Sequence, residues 1–266
     1  MFNFVVSFVS VSFLSVYPFS QQVLLLQSVP DAPWMKDKVS FQGPATVQLA
    51  TPNSVLVVHL LRLNGRPSVS CVPILEAVLA DASIVKAGTG VDQDMIELYR
   101  YWGGISCQSR FDLGGIGMAH PSSGMVGLKT LTKAILGVEL IKSKKISCSN
   151  WSQVPLTEQQ LNYCARDAWA GAAVMRTLAT LDPSTYSTNS IVQRLSRVEL
   201  NMADTNQRAT ERKRAKSRLK QLLEQEDTVT VKDEVNSLRV IMKELAPLGL
   251  IAFDVRPLGF TMESNE

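Results

Sequence analysis

The sequence has few of the residues that build structural zinc sites. Its 266 residues contain two histidines and four cysteines, and no two cysteines form a Cys-x-x-Cys pair. Because zinc clusters usually draw their ligands from such close pairs, a structural zinc site is not expected. A chain of this length can also bury a core without disulfides, so the cysteines are expected to be reduced thiols in an intracellular compartment.

Charge is missing from the first thirty residues, and the first charged side chain is Asp31. A secretory signal peptide begins with basic residues, which are absent here, and serines at positions 7, 10, 12 and 15 interrupt the apolar run before it reaches spanning length. Residues 1–22 are therefore interpreted as a β-prone or artefactual segment, with a targeting peptide and a membrane anchor as the alternatives. Stable association with a membrane is not expected.

Hydrophobic periodicity changes along the chain from strands to alternating strands and helices. Three predicted strands, at 23–29, 45–50 and 54–61, come first. Helices and strands then alternate from residue 72 to residue 137, where Gly137 ends a helix. A meander followed by this alternation predicts one mixed α/β sheet flanked by helices.

The stretch "LTEQQLNYCARDAWAG" predicts the last helix of this sheet domain. Thr157 and Gln160 form a capping-box pattern, and the helix is expected to end by residues 182–183. Tyr163 and Asp167 share one face of that helix at i, i+4. They are interpreted either as polar residues that face water and have no function, or as a functional pair on one helix face.

A second acidic position follows a predicted strand and a Gly-rich turn in "SIVKAGTGVDQDMIEL". Asp94 lies at the head of the next helix, where helix capping alone would explain an aspartate, and Asp92 competes for that cap. Carboxylates at such strand ends are the ligands that divalent metals prefer. This motif by itself is weak evidence for a site.

Beyond residue 183 the sequence predicts a long basic helix followed by a helix and a short strand. The basic residues of the long helix are Arg208, Arg212, Lys213, Arg214, Lys216, Arg218 and Lys220. Either they form a solvated helix face or they contact a nucleic-acid backbone. The run "RKRAK" is equally compatible with a nuclear address, so nucleus or cytoplasm is expected, with organelle targeting by residues 1–22 left open.

The order of "ATVQLAT", "IVKAGTGVDQDMIEL", "RFDLGGIG", "LKTLTKAILG" and "NWSQVPLTEQQLNYCARDA" resembles the 3′-5′ exonuclease domains of the ribonuclease D and Werner-type group. These domains belong to the DEDD superfamily, in the branch with a tyrosine in the last motif. The resemblance implies a ribonuclease H-like fold for residues 23–182, followed by a basic helical extension and appendage at 183–266.

The resemblance also implies a magnesium- or manganese-dependent hydrolase that acts on 3′ ends of single-stranded DNA or RNA. In the family, four carboxylates hold two metal ions, Mg²⁺ or Mn²⁺, and a tyrosine orients the attacking water. Carried over by motif position, Asp94 and Asp167 match metal ligands, and Tyr163 matches the tyrosine.

The first family motif, Asp-x-Glu, is the departure from this pattern. Its two carboxylate positions fall on Gln27 and Val29, of which one is a neutral, weaker oxygen ligand and the other offers no ligand atom. Either the chain is a pseudo-enzyme or residues 1–30 are not the native start of the domain. The persistence of Asp94, Tyr163 and Asp167 favours the second interpretation.

Three functions are thus predicted in order: an exonuclease with weak or absent activity as encoded, a non-catalytic nucleic-acid-binding module, and an adaptor that binds a protein partner through its C-terminal helix.

Overall fold

The structure, a computed structural model, describes residues 23–25, 28–30, 44–51, 53–60, 62–63, 66–67, 72–102, 104–116, 126–151, 153, 155–224 and 229–245. The strands are β1 (Val23–Leu25), β2 (Ser28–Pro30), β3 (Pro44–Ala50), β4 (Val55–His59), β5 (Arg62–Leu63), β6 (Arg66–Pro67), β7 (Val85–Gly88) and β8 (Arg110–Asp112). The helices are α1 (Val72–Ala80), α2 (Val91–Trp102), α3 (Leu128–Leu136), α4 (Lys144–Ser147), α5 (Glu158–Leu181), α6 (Pro183–Tyr186), α7 (Thr188–Leu195), α8 (Met202–Leu223) and α9 (Val229–Glu244).

The strands pair as an antiparallel meander joined to parallel neighbours. β3 pairs with β2 and β4 in antiparallel fashion, whereas β7 pairs in parallel with β1 and β8. β1 and β2 are separated by only two residues in the sequence, so this segment connects the antiparallel pairs to the parallel ones. The mixed α/β fold predicted from the sequence is confirmed, with the described strands divided between a parallel sheet, an antiparallel sheet and the short pair β5–β6.

A turn between β3 and β4 fixes the register of the meander. The Thr51 N–H donates to the Ser54 carbonyl at 2.8 Å, and the Thr51 hydroxyl accepts from the Ser54 N–H at 3.2 Å. Ala50 therefore pairs with Val55. The turn therefore lies between the two strands that the sequence predicts at 45–50 and 54–61.

Helices cover both faces of the sheet and create two apolar layers. On one face, Val85, Ala87 and Phe111 pack with residues of α3, α5 and α7. On the other face, Val47 and Leu49 pack with residues of α1 and α2 and with the first residue of α8. β3 is buried along its whole length, as a strand covered on both sides must be.

The two helix termini that the sequence marked most clearly are formed as predicted. Thr157 and Gln160 make both hydrogen bonds of a capping box at the start of α5. Gly137 ends α3 in the left-handed conformation with a φ of 68°, which glycine adopts without a steric penalty.

The C-terminal extension is helical but is not one uninterrupted helix. α7 ends at Leu195, and α8 begins only after Asn201, whose side chain accepts a hydrogen bond from the Asp204 N–H. The predicted helix at the C-terminal end is present as α9, whereas the predicted short strand after it lies outside the described residues. Within the described ranges, no helix has the length and apolar character that a membrane span needs.

A buried arginine on β8 ties this extension to the sheet. The Arg110 guanidinium donates to Asp92 Oδ1 at 2.8 Å, to the Leu200 carbonyl at 2.9 Å and to the Thr205 hydroxyl at 3.0 Å. Its Nη1 also lies 3.3 Å from Glu199 Oε1. The partners come from the head of α2, from the α7–α8 connection and from the first turn of α8, so the Arg110 guanidinium links β8 to each of these segments.

Replacing this cation is expected to destabilise the protein strongly. Arg110→Met leaves Asp92 and Glu199 without their buried counter-ion, and the expected loss in the free energy of unfolding is about 3–5 kcal/mol. Urea denaturation measures this loss. Arg218→Met is the matched control, because the pair Arg218–Glu234 is exposed and its removal should cost far less. Equal losses in the two variants would contradict the structural role of Arg110.

Candidate active site

Tyr163 and Asp167 lie on the buried face of α5, one helical turn apart. Their side chains belong to residues with exposed fractions of 9% and 1%, so the interpretation in which both face water is wrong. Burial raises the pKa of Tyr163 above its usual value, and the charge of Asp167 and a hydrogen bond to it raise the pKa further. The phenol therefore stays protonated at neutral pH and acts as a hydrogen-bond donor.

Trp151, the first residue of the motif, packs against the ring of Tyr163. Trp151 is fully buried, with its ring centroid 6.0 Å from that of Tyr163. Its indole N–H donates to the Ser147 carbonyl at 3.2 Å, and its own carbonyl accepts from His59 Nε2 at 2.9 Å. The run from Trp151 to Asp167 thus orients α5 and its tyrosine from the α4 side.

Gln160 of α5 also holds the segment before Trp151 in place through its side-chain amide. Its amide nitrogen donates to the Ser149 hydroxyl at 3.0 Å and to the Asn150 carbonyl at 2.8 Å. Its amide oxygen accepts from the Thr157 N–H at 2.9 Å. A residue that first serves as a cap therefore also holds the loop that carries Trp151.

Lys142 is a site residue that the sequence did not reveal. Its Nζ lies 3.1 Å from Asp167 Oδ2, and the lysine side chain is about one-third exposed whereas that of the aspartate is buried. Lys142 stands in the connection between α3 and α4, and no spacing rule links it to a residue 25 positions later. The buried carboxylate of Asp167 is thus neutralised by a cation that reaches in from the surface.

Loss of this cation is expected to destabilise the fold. Lys142→Met should lower the free energy of unfolding by about 1–3 kcal/mol, less than for a fully buried pair because Lys142 is partly exposed. Urea denaturation compares it with Lys129→Met, whose partner Glu139 is exposed. The double variant Lys142→Met/Asp167→Asn should recover most of the loss, since no charge is then left unpaired. A Lys142→Met variant as stable as Lys129→Met would refute the pairing.

Asp94 lies in the first turn of α2, directly after the turn that follows β7. Its N–H donates to the Gly90 carbonyl at 3.1 Å, and Gly90 has a φ of 80°, which favours glycine. The competing Asp92 is held by Arg110 at 2.8 Å. Asp92 is therefore a structural residue, and Asp94 remains the candidate ligand at this position.

Asp112 is a second residue that sequence analysis did not single out. Its carboxylate accepts from the Gly90 N–H at 3.0 Å and from the Gly114 N–H at 2.8 Å. It therefore fastens the turn that leads to Asp94. Burial raises the pKa of Asp112 to about 6, although these hydrogen bonds act in the opposite direction. The only sequence signal was its position at the end of a predicted strand before Leu-Gly-Gly.

The raised pKa of Asp112 predicts a specific pH dependence of stability. The group ionises near 3.8 in the unfolded chain and near 6 in the folded protein. Its stabilising effect is thus complete below about pH 3.8 and is lost as the pH rises through about 6. Relative to Asp112→Asn, the wild type should lose about 2 kcal/mol between pH 3.8 and pH 6.5, measured by urea denaturation.

Asp182→Asn provides a contrast of opposite sign. Hydrogen bonds from Ser184 and Thr185 lower the pKa of Asp182, so its contribution is present above the unfolded value and is lost as the pH falls. If the wild type and Asp112→Asn follow parallel pH profiles, the carboxyl of Asp112 does not titrate in the folded protein as described.

The predicted metal ligands lie on two different helices. Tyr163, Asp167 and Lys142 meet at α5, whereas Asp94 stands on α2. Val29 lies in β2, and Gln27 lies outside the described residues. In the part of the chain that the structure describes, no three histidine, cysteine or acidic side chains form a group suited to a metal ion. The donor set present therefore does not fit a two-ion site.

Comparison with known proteins assigns the class of protein. The family described as 3′-5′ exonuclease matches residues 40–182, which is more than half of the chain, and the chain belongs to this family. Val29 and Gln27 lie before the matched range. The expected ribonuclease H-like arrangement, a mixed sheet flanked by helices, is confirmed.

Two relatives and one solved structure illustrate the similarity. The chain is 37% identical over 108 residues to the mouse bifunctional 3′-5′ exonuclease/ATP-dependent helicase WRN, a match that covers 40% of this chain and 8% of that protein. It is 31% identical over 140 residues to a 3′-5′ exonuclease of Arabidopsis thaliana, covering 52% of this chain and 46% of that protein. The matches thus span less than half the length of either relative.

The solved structure is described as the apo form of the nuclease. It aligns with a TM-score of 0.50 at 18% identity, over 72% of this chain and 84% of that chain. At this level of identity the similarity concerns the fold.

Proposed function

We propose that this chain binds the 3′ ends of single-stranded nucleic acid, DNA or RNA, and that its hydrolysis of the terminal phosphodiester is strongly reduced as encoded. The observation that carries the proposal is the last-motif pair on α5. Tyr163 and Asp167 are buried side by side at the family's positions, while the first-motif positions hold Gln27 and Val29.

The chemistry of the donor set supports the reduced rate. Metal ions that serve phosphodiester hydrolysis polarise the phosphate and activate the attacking water, and they are held by several carboxylates at one point. Only Asp94 and Asp167 remain of the four acidic positions that the family resemblance implies. Loss of two anionic ligands weakens metal affinity, and the expected effect on the rate is several kcal/mol.

The environment of Tyr163 supports an orienting role and not a role as general base. Its phenol is kept protonated by burial and by Asp167, so it can donate a hydrogen bond but does not accept a proton at neutral pH. Trp151 limits the positions that the ring can take. Asp167 in turn has its charge balanced by Lys142, which keeps this side of the site formed whatever else is bound.

The test restores the first motif. Gln27→Asp/Val29→Glu is expected to raise turnover of a 3′-terminal nucleotide by about 10²–10³-fold, since several kcal/mol of lost stabilisation correspond to such a factor. The assay uses 5′-labelled single-stranded oligonucleotides with Mg²⁺ or Mn²⁺. Binding to the same oligonucleotides should be retained by both proteins.

Two further variants show whether the restored turnover depends on Asp167. Adding Asp167→Asn to the restored protein should abolish turnover, whereas adding Asp182→Asn, beyond the far end of α5, should leave it unchanged. Equal turnover by the wild type and the restored protein would contradict the loss of function assigned to positions 27 and 29. Turnover that is insensitive to Asp167→Asn would contradict the site itself.

A further inference from the structure

The packing of α8 places five of its seven basic residues in two groups. α8 packs against α9, and the buried Ala215, Leu222 and Val235 lie between them. Arg218 faces the same way, because its guanidinium donates to both carboxylate oxygens of Glu234, at 2.7 Å and 3.1 Å. Arg208 donates to the Glu244 carbonyl at the end of α9. These two arginines therefore serve the contact between the helices.

The second group points away from α9. Lys213, Lys216 and Lys220 are exposed and follow one another at i, i+3 and i+7, which aligns them along one side of the helix. Ala215 and Leu222 are on the other side. The three ammonium groups form a row about 10 Å long at a rise of 1.5 Å per residue. The acidic residues nearest to the row in the sequence, Glu211 of α8 and Glu224 directly after it, lie beyond the two ends of the row.

Arg100 of α2 extends this row toward the candidate active site. Its guanidinium donates to Asn206 Oδ1 at 2.9 Å and to the Thr210 hydroxyl at 3.3 Å, and its Nη1 also lies 3.4 Å from Glu97 Oε1, an exposed pair that a phosphate can displace. Thr210 is one turn before Lys213, so the exposed Arg100 lies next to the start of the lysine row. Along α2, Arg100 is about 9 Å from Asp94.

We infer that Arg100, Lys213, Lys216 and Lys220 form a phosphate-binding track for the backbone of a single-stranded nucleic acid that leads away from the candidate site. The track deepens the proposed function and rests on it for the identity of the strand. Lysines at regular spacing suit a repeating phosphate charge and carry no base specificity. Between Lys213 and Lys220 the row contains no apolar side chain, unlike the inserted face of a membrane-bound helix, and the exposed Leu223 lies beyond its end.

The experiment compares a 20-nucleotide single strand with a 4-nucleotide strand. The short strand carries only three internucleotide phosphates, fewer than the four cations of the track, so it cannot occupy the 3′-end site and the whole track at once. The full chain and the variant Lys213→Gln/Lys216→Gln/Lys220→Gln are titrated with each strand by fluorescence anisotropy at several salt concentrations. The matched control, Lys129→Gln/Lys133→Gln/Lys243→Gln, removes the same charge from exposed lysines elsewhere.

The track variant should bind the 20-nucleotide strand about tenfold or more weakly at low salt, with a log-log salt slope lower by about 2, because each phosphate contact contributes roughly 0.7. Its affinity for the 4-nucleotide strand should equal that of the wild type, and the control should change neither value. Thermal denaturation should give the same midpoint for all three proteins, since the substituted side chains are exposed.

Other results separate the track from the proposed function. Unchanged affinity of the track variant for the long strand, or an equal loss in the control, overturns the track alone. Lysine-dependent binding of the long strand without any binding of the short one overturns the proposed 3′-end site and leaves the track. Absence of binding to both strands overturns both. Polyglutamate that competes as well as the long strand would indicate an acidic protein partner and would overturn the track.

Discussion

The packing of α5 against the sheet is the contact on which the other features of the site depend. This helix contacts β1, β3, β4 and β7, so it spans the antiparallel and the parallel parts of the sheet. Its buried alanines let it approach the strands closely, and its first turns carry Tyr163 and Asp167 into the interior. A carboxylate so deeply buried needs a counter-ion, which Lys142 supplies.

Each of the buried charges described above has a partner of opposite charge. Arg110 joins β8 to α2 and to the segment before α8, and Lys142 joins Asp167 to the α3–α4 connection. In each case a long cationic side chain links elements that are far apart in sequence. The C-terminal helices are thereby fixed to the nuclease fold, and the lysine row on α8 acquires a defined position relative to Asp94.

Local patterns predicted local structure well. The capping box of Thr157 and Gln160, the C-terminal glycine at position 137 and the turn at 51–54 all depend on interactions between residues close in the chain. The long basic stretch was predicted less well, because its helical propensity is high throughout and only Asn201 and the packing around Arg110 decide where α8 begins. Propensity alone does not locate that break.

The sequence by itself determined the exonuclease family, the α/β order and the placement of Tyr163 and Asp167 on one helix face, since motif spacing and periodicity carry this information. Only the tertiary structure decided that both residues are buried and that Lys142 balances Asp167. The tertiary structure also decided that Asp92 forms an ion pair with Arg110. It further decided that Asp112 accepts a hydrogen bond from the turn before Asp94. These outcomes depend on residues brought together from distant parts of the chain, and no local spacing rule records which of several charges will meet.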